Sequence, residues 1–379
     1  MPIRLLSLLF ALLMISACAT APPPEPPPEP VPPPPAEPTV EYTIPDNSHL
    51  RINIASVGDM MIGTDYPENH LPDDDGVSFF DGVADILRDA DLTFGNLEGT
   101  LVDGGEPAKK CKNLSACYLF RSPTRYAEHY KNAGFDVLSL ANNHARDFGE
   151  EGRTSTMEAL DSVGIYHSGR EGSFASFEHG ELKIAMLAYA VTRESNILFD
   201  YELAFETVAE HDRTHDIVIV SFHGGAEGAD AMHVPFAEEE YYGERRGDVV
   251  KFSRGVVDAG ADLVIGHGPH VVRGMELYND RLIAYSLGNF ATYYGISVAG
   301  VKGVAPILLT QLDGEGRFVD GQIISTEQIR PAGPTLDQKM RALLHLMNLT
   351  REDFPESGLS FFPDGVFRRA RPLQIIEID

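Results

Sequence analysis

Five apolar runs of strand length each end in a side chain able to hold a cation, and this recurrence constrains the chain more than any other feature. Asp59 follows INIASVG, Glu98 follows LTFGNL, and Asn142, Asn143 and His144 follow FDVLSLA. His223 follows DIVIVSF, and His267 and His270 follow DLVIG. In open α/β sheets, sites form beyond the carboxyl ends of strands, where loops converge. One such residue alone would read as a turn, a cap or a hydrogen-bonded core histidine. Shared placement at strand ends points instead to a single site. Glycines recur beside these residues, at Gly58, Gly99, Gly224, Gly225, Gly266 and Gly268, where backbone turns sharply or approaches another group closely.

Strands are expected at Arg51–Val57, Leu92–Leu97, Asp136–Leu140, Leu182–Tyr189, Ile217–Phe222, Asp262–Ile265 and Leu282–Ser286, with a hairpin around Asp313-Gly314-Glu315-Gly316. Helices are expected at Phe80–Arg88, Thr124–Ala133, Gly152–Val163, Glu202–Glu210, Glu239–Ala259 and Leu336–Leu346. The stripe Leu336, Met340, Leu343 and Met347 is expected to pack on a sheet edge, and the tail RRARPLQIIEID reads as a last strand. Alternating strands and helices imply an α/β class, with sheets covered by helices.

Carboxylate, amide oxygen and imidazole together form a mixed oxygen and nitrogen donor set, suited to zinc, manganese or iron rather than calcium. One or two such ions could polarise a phosphoryl or carbonyl oxygen and activate water. His144, beside the candidate ligand Asn143, is placed to protonate a leaving group. Asp147, three residues on, either orients His144 or serves the turn and helix start that follow.

The first residues read as an address. Arg4, the apolar run Leu5–Ile15 and the sequence Ile15-Ser16-Ala17-Cys18 resemble the lipobox of bacterial lipoproteins. That resemblance implies cleavage after residue 17, lipid attachment at Cys18 and a membrane anchor. A plain secretory signal is the alternative, and both export the protein. Residues 22–38 hold 12 of the 26 prolines, so an extended polyproline tether is expected across 18–48, ahead of one domain over 49–379 whose last part, 331–379, is an appended helix and strand. In an oxidising compartment Cys111 and Cys117, inside KKCKNLSACY, are expected to form a disulfide. With 57 acidic against 30 basic residues and a net charge of −27, nucleic acid is excluded as a general partner.

From about residue 51 to 330, the order GDMMIG, NLEGTL, FRSP, LSLANNHARDFG, FHGGAE, GADLVIGHGPHVV and YSLGNF resembles the CapA-type proteins of poly-γ-glutamate capsule synthesis. These are related to calcineurin-like metallophosphoesterases. The resemblance implies a four-layer α/β/β/α sandwich with two mixed sheets, and an envelope role in making or exporting an anionic polymer alongside other capsule synthesis or export proteins. By position it implies metal ligands at Asp59, Glu98, Asn143, His223, His267 and His270, with His144 completing an asparagine-histidine pair; His144 and, from its place three residues on, Asp147 are the residues expected in catalysis. Asn142, Arg146, Arg273 and Asn289 are the residues expected to bind substrate. Arg121, Arg125, Arg146 and Arg273 could invert the acidic charge locally, or simply be solvated. Met61 departs from the pattern by standing where two-metal phosphoesterases carry histidine, and a thioether is a poor ligand for hard ions. Two functions follow: a metal-dependent hydrolase or transferase acting on an anionic phosphoester or γ-glutamyl substrate, and a non-catalytic scaffold that binds polymer.

Overall fold

Alternation along the strands decides how the sheets are used, because successive Cβ atoms project to opposite faces. In the strand Leu182–Ala190, Ile184, Met186 and Ala188 join one hydrophobic cluster, while Ala185, Leu187 and Tyr189 join another. Ile217 and Ile219 part from Val218 and Val220 in the same way, as Ile52 and Ile54 do from Ala55 and Val57. Strands with both faces apolar must be covered on both sides.

The computed structural model describes residues 47–109 and 118–370. These residues form one compact unit. Its larger sheet runs Leu359–Phe361, Val366–Arg369, Phe318–Gln328, Val304–Asp313, Arg51–Met61, Leu92–Leu97, Val137–Ser139, Tyr166–Ser168; Asn289–Thr292 also pairs with Arg51–Met61, and Pro334–Leu336 with Phe318–Gln328. A six-stranded sheet runs Met275–Tyr278, Arg281–Ala284, Leu263–His267, Ile217–His223, Leu182–Ala190, Ala175–His179. In both sheets the strands that end in candidate ligands pair in parallel, so their carboxyl ends lie along one edge.

One cluster draws Ile52, Ile54, Phe94, Leu308 and Ile323 of the larger sheet together with Ile184, Ile219, Ile265 and Leu282 of the smaller. The other face of the larger sheet packs with Leu87, Tyr130 and Leu160, from the helices Ala84–Asp89, Ala127–Ala133 and Gly149–Ser162. The other face of the smaller sheet packs with Ala204, Val208, Phe252 and Val256, from Tyr201–Asp212 and Val249–Asp258. The fold is thus a mixed α/β arrangement of sheets flanked by helices. No helix among the described residues is long and apolar enough to cross a membrane.

Three helix expectations are corrected. Glu239–Ala259 is a hairpin, Glu239–Tyr241 against Glu244–Gly247, followed by the helix Val249–Asp258. Its two-residue turn, Tyr242-Gly243, has φ of 49° and 79°, the positive pair that tight hairpins require. The helix expected at Leu336–Leu346 is Arg341–Asp353, because Leu336 ends the strand Pro334–Leu336. Phe80–Arg88 shortens to Ala84–Asp89, preceded by turns. In the tail, Val366–Arg369 is a strand, and residues 371–379 lie outside the described residues. So do Cys18, Cys111, Cys117 and the proline tract.

Gly58 is where the site's geometry rests on a missing side chain. A Cβ there would lie 1.9 Å from the Gly288 carbonyl oxygen, which accepts the Asp59 amide at 2.8 Å. Gly58→Ala is expected to destabilise the fold by about 3 kcal/mol, read from the urea midpoint, since backbone cannot yield as a flexible side chain does. A shift below about 0.5 kcal/mol would contradict that close approach.

Candidate metal centre

Asp59 lies near the end of the strand Arg51–Met61, opposite Asn96 and Asn289, and Glu98 follows Leu92–Leu97. His223 and His267 end neighbouring parallel strands and are register partners. His270 lies three residues on with φ 58°, a left-handed backbone that a non-glycine residue adopts only when its surroundings enforce it. Asn289 supplies part of that enforcement, with its Nδ2 donating to the carbonyls of His270, Ser297 and Lys302.

Asp59, Glu98 and His270 place one ligand atom each within 4.8 Å of one another, positioned to coordinate a divalent metal ion. His270 Nδ1 lies 3.0 Å from Asp59 Oδ2, and its Nε2 lies 3.6 Å from Glu98 Oε1. His267 Nδ1 is 3.4 Å from Asp59 Oδ1, which also accepts Asn96 Nδ2 at 2.8 Å. Both oxygens of Glu98, both ring nitrogens of His223 and of His267, and Asn143 Oδ1 are buried without a hydrogen-bond partner among the described residues. A buried polar atom left unpaired costs about 1–3 kcal/mol. Those of Glu98, His267 and His223, gathered about Asp59 and His270, fit a cation, and oxygen with imidazole nitrogen suits zinc, manganese or iron.

Electrostatics agree with that set. Burial alone would push the Asp59 carboxyl up, but the imidazoles of His267 and His270 hold it well below the usual carboxylate range. Burial, reinforced by the Asp59 and Glu227 carboxylates, pushes Glu98 up to about 8 against the opposing charge of His270. Burial disfavours a charged His270, yet Glu98 and Asp59 raise it to about 10. Burial drives His223 well below its ordinary value, which keeps the ring neutral and able to ligate.

The remaining expected site residues divide. His144 Nδ1 meets Asp147 Oδ2 at 2.7 Å, and that oxygen also accepts the Phe120 amide at 2.8 Å. Asn142 is buried and works inward, donating to Asn96 Oδ1 at 3.2 Å and the Leu97 carbonyl at 2.8 Å while accepting the His144 amide at 3.0 Å. Arg146 pairs with Glu194. Arg273 is corrected from substrate binding: it is fully buried, and both terminal nitrogens bond Glu239, at 2.8 and 2.7 Å. Asn289 is corrected likewise, since its Oδ1 faces His270 Nδ1 at 2.9 Å and its amide is spent on backbone. Met61 gives its sulfur to the Gly63 amide at 3.2 Å and packs with Phe120 and Ile296.

Two residues here escaped the sequence reading. Asn96 lies on the strand Leu92–Leu97, two positions before Glu98, and its nearness to the strand end is the signal that could have exposed it. Arg246 is buried in the misread hairpin; its Nε donates to the Gly225 carbonyl at 2.8 Å and its Nη2 lies 3.1 Å from Glu227.

Parallel strands that deliver acids and imidazoles to one edge define a metal-binding α/β protein. The profile of the family described as "Bacterial capsule synthesis protein PGA_cap" matches residues 53–294, and the chain belongs to that family. It is 28% identical to the PGA biosynthesis protein CapA of Bacillus subtilis (strain 168) over 284 residues, 70% of each chain. With the capsule biosynthesis protein CapA of Bacillus anthracis it shares 26% identity over 263 residues, 63% of this chain and 59% of that one. A solved structure of GAP50, the anchor in the inner membrane complex of Plasmodium, aligns over 79% of this chain and 95% of that one at 14% identity and a TM-score of 0.36, too distant to bear on function.

Proposed function

We propose that the protein is an envelope-anchored, metal-dependent hydrolase or transferase of surface-polymer synthesis, acting on a phosphoester or γ-glutamyl bond in an anionic substrate. The observation that carries this reading is the convergence of unpartnered buried donors around Asp59, Glu98 and His270. Relatives named for capsule and PGA biosynthesis support the envelope setting. The three hydrophobic clusters support a four-layer α/β/β/α sandwich. Lipid attachment at Cys18, a tether over 18–48, a domain over 49–379 and a Cys111–Cys117 disulfide belong to the same proposal.

Asp59, Glu98 and His270 would hold one ion, and Asn143, His223 and His267 are the donors for a second. A bound ion supplies Lewis-acid polarisation of the scissile phosphoryl or carbonyl group. Asp147 fixes the His144 ring through Nδ1, while the Phe120 ring lies 4.2 Å from it between centroids. The opposite nitrogen is thereby left to give a proton to the departing group. Burial pushes the His144 imidazole down, and the Asp147 carboxylate counters part of that push.

His144 acts as an acid only when protonated, so removing the Asp147 charge lowers its pKa further and moves the alkaline limb of activity to lower pH. Metal-reconstituted Asp147→Asn is expected to show that acid-ward limb and a kcat reduced by about 100-fold on an aryl phosphate or a γ-glutamyl anilide. Absence of turnover of both compounds by the metal-loaded wild type would remove the enzymatic reading. The scaffold reading draws on one observation, Met61 in place of a ligand, and predicts that inactive protein still restores surface polymer in cells lacking it.

A further inference from the structure

The loop that carries Asn143 also walls a cavity of about 300 Å³, bounded on its other side by Thr192–Ser195. Lys109, Arg146, Arg153 and Arg193 border it on a protein whose net charge is −27, Lys109 paired with Asp147 and Arg153 with Glu150. A polyanion approaching such a protein is repelled at long range unless charge is inverted locally. Arg193 is exposed and makes no ion pair among the described residues.

Arg146, by contrast, is met by the carboxylate of Glu194, with that of Glu150 3.7 Å from its Nε. Glu194 is 53% exposed along its side chain, so the pairing is solvent-screened and contributes little. Its backbone has φ 60°, in the left-handed region, where its carbonyl accepts Arg153 Nη1 and the Glu171 amide. The loop is therefore held by backbone contacts in a conformation that sets an internal carboxylate on a cavity arginine.

We propose that this cavity is a second anion subsite, selecting substrates with closely spaced negative groups, and that Glu194 is an exchangeable occupant standing in for one of them. The proposal rests on the reading of the adjacent centre as catalytic and narrows its substrate to a chain that carries a charged group beside the bond attacked. Carboxylate and phosphate share the recognising chemistry, charge-assisted bonding to guanidinium.

Full-length, metal-stripped protein titrated calorimetrically with tripolyphosphate, and separately with a γ-linked glutamate tetramer, tests it. The wild type should bind at least one of them, and which one binds names the group recognised. Glu194→Gln should tighten binding about five-fold and Arg193→Gln should weaken it about five-fold, with a shallower salt dependence. Circular dichroism confirms that both variants are folded. Affinities unchanged in both variants, or no binding of either compound by wild type and Glu194→Gln, would overturn the subsite. Turnover by the metal-loaded protein, measured in parallel, separately tests the catalytic reading.

Discussion

Glu98→Gln is expected to empty the centre of metal and yet leave the metal-free protein more stable than the wild type in mild alkali. Both oxygens of Glu98 are buried without a hydrogen bond, and the opposing charge of His270, 3.6 Å away, does not offset the cost of burying the carboxylate. Changing even a residue that only supports a ligand weakens metal binding by about 10–100-fold, so the ligand itself should cost at least about 100-fold. Elemental analysis after dialysis reads that loss directly. The stability change runs the other way. Because burial raises the Glu98 carboxyl from 4.5 to about 8, the folded state holds this proton more tightly than the unfolded state, and stability falls as pH rises between those values. Glutamine has no proton to lose, so at pH 9 metal-free Glu98→Gln should exceed the wild type by roughly 2–4 kcal/mol in urea unfolding. A destabilised metal-free variant would make Glu98 a structural acid and the ligand assignment wrong. Alanine at His223 and His267 together should leave about one ion per chain, held by the remaining acids and His270.

The affinity for metal should also climb steeply with pH. At neutral pH the metal-free centre keeps a proton on Glu98, at about 8, and another on His270, at about 10. Both must leave before those atoms can ligate. Below pH 8 the association constant should therefore rise by up to about two decades per pH unit, and between pH 8 and 10 by about one. Asp59, held ionised by its histidine neighbours, adds no slope there. Calorimetry with Zn²⁺ or Mn²⁺ in buffers of different ionisation heat would count the released protons. A flat dependence from pH 6 to 8 would contradict the pairing of Glu98 with His270.

Strand-end chemistry was legible because two periods coincide: the alternation that buries Ile52, Ile54, Ile217 and Ile219, and the habit of parallel strands to end at one edge. That placed Asp59, Glu98 and His270 together from sequence alone. What failed depends on contacts far apart in the chain. Arg273 reads as a free cation beside a histidine motif, but Glu239, in a hairpin misread as helix, neutralises it. The hairpin was hidden because EEEYYGERRG has the charge density of a solvated helix, and only the positive φ at Tyr242 and Gly243 reveals its turn. Asn289 likewise shows its bond to His270 only after the strand Asn289–Thr292 is laid beside Arg51–Met61.

The acids of the centre belong to the ten-stranded sheet, whereas His223 and His267 belong to the six-stranded one. Between the two lies an interior of apolar side chains, with Phe94, Phe318 and Phe367 among the aliphatic ones. A cation ligated from both sides would act as a rivet through the seam, fixing the register of one sheet on the other. Loss of the ion would then loosen the whole junction while each half kept its own pleat.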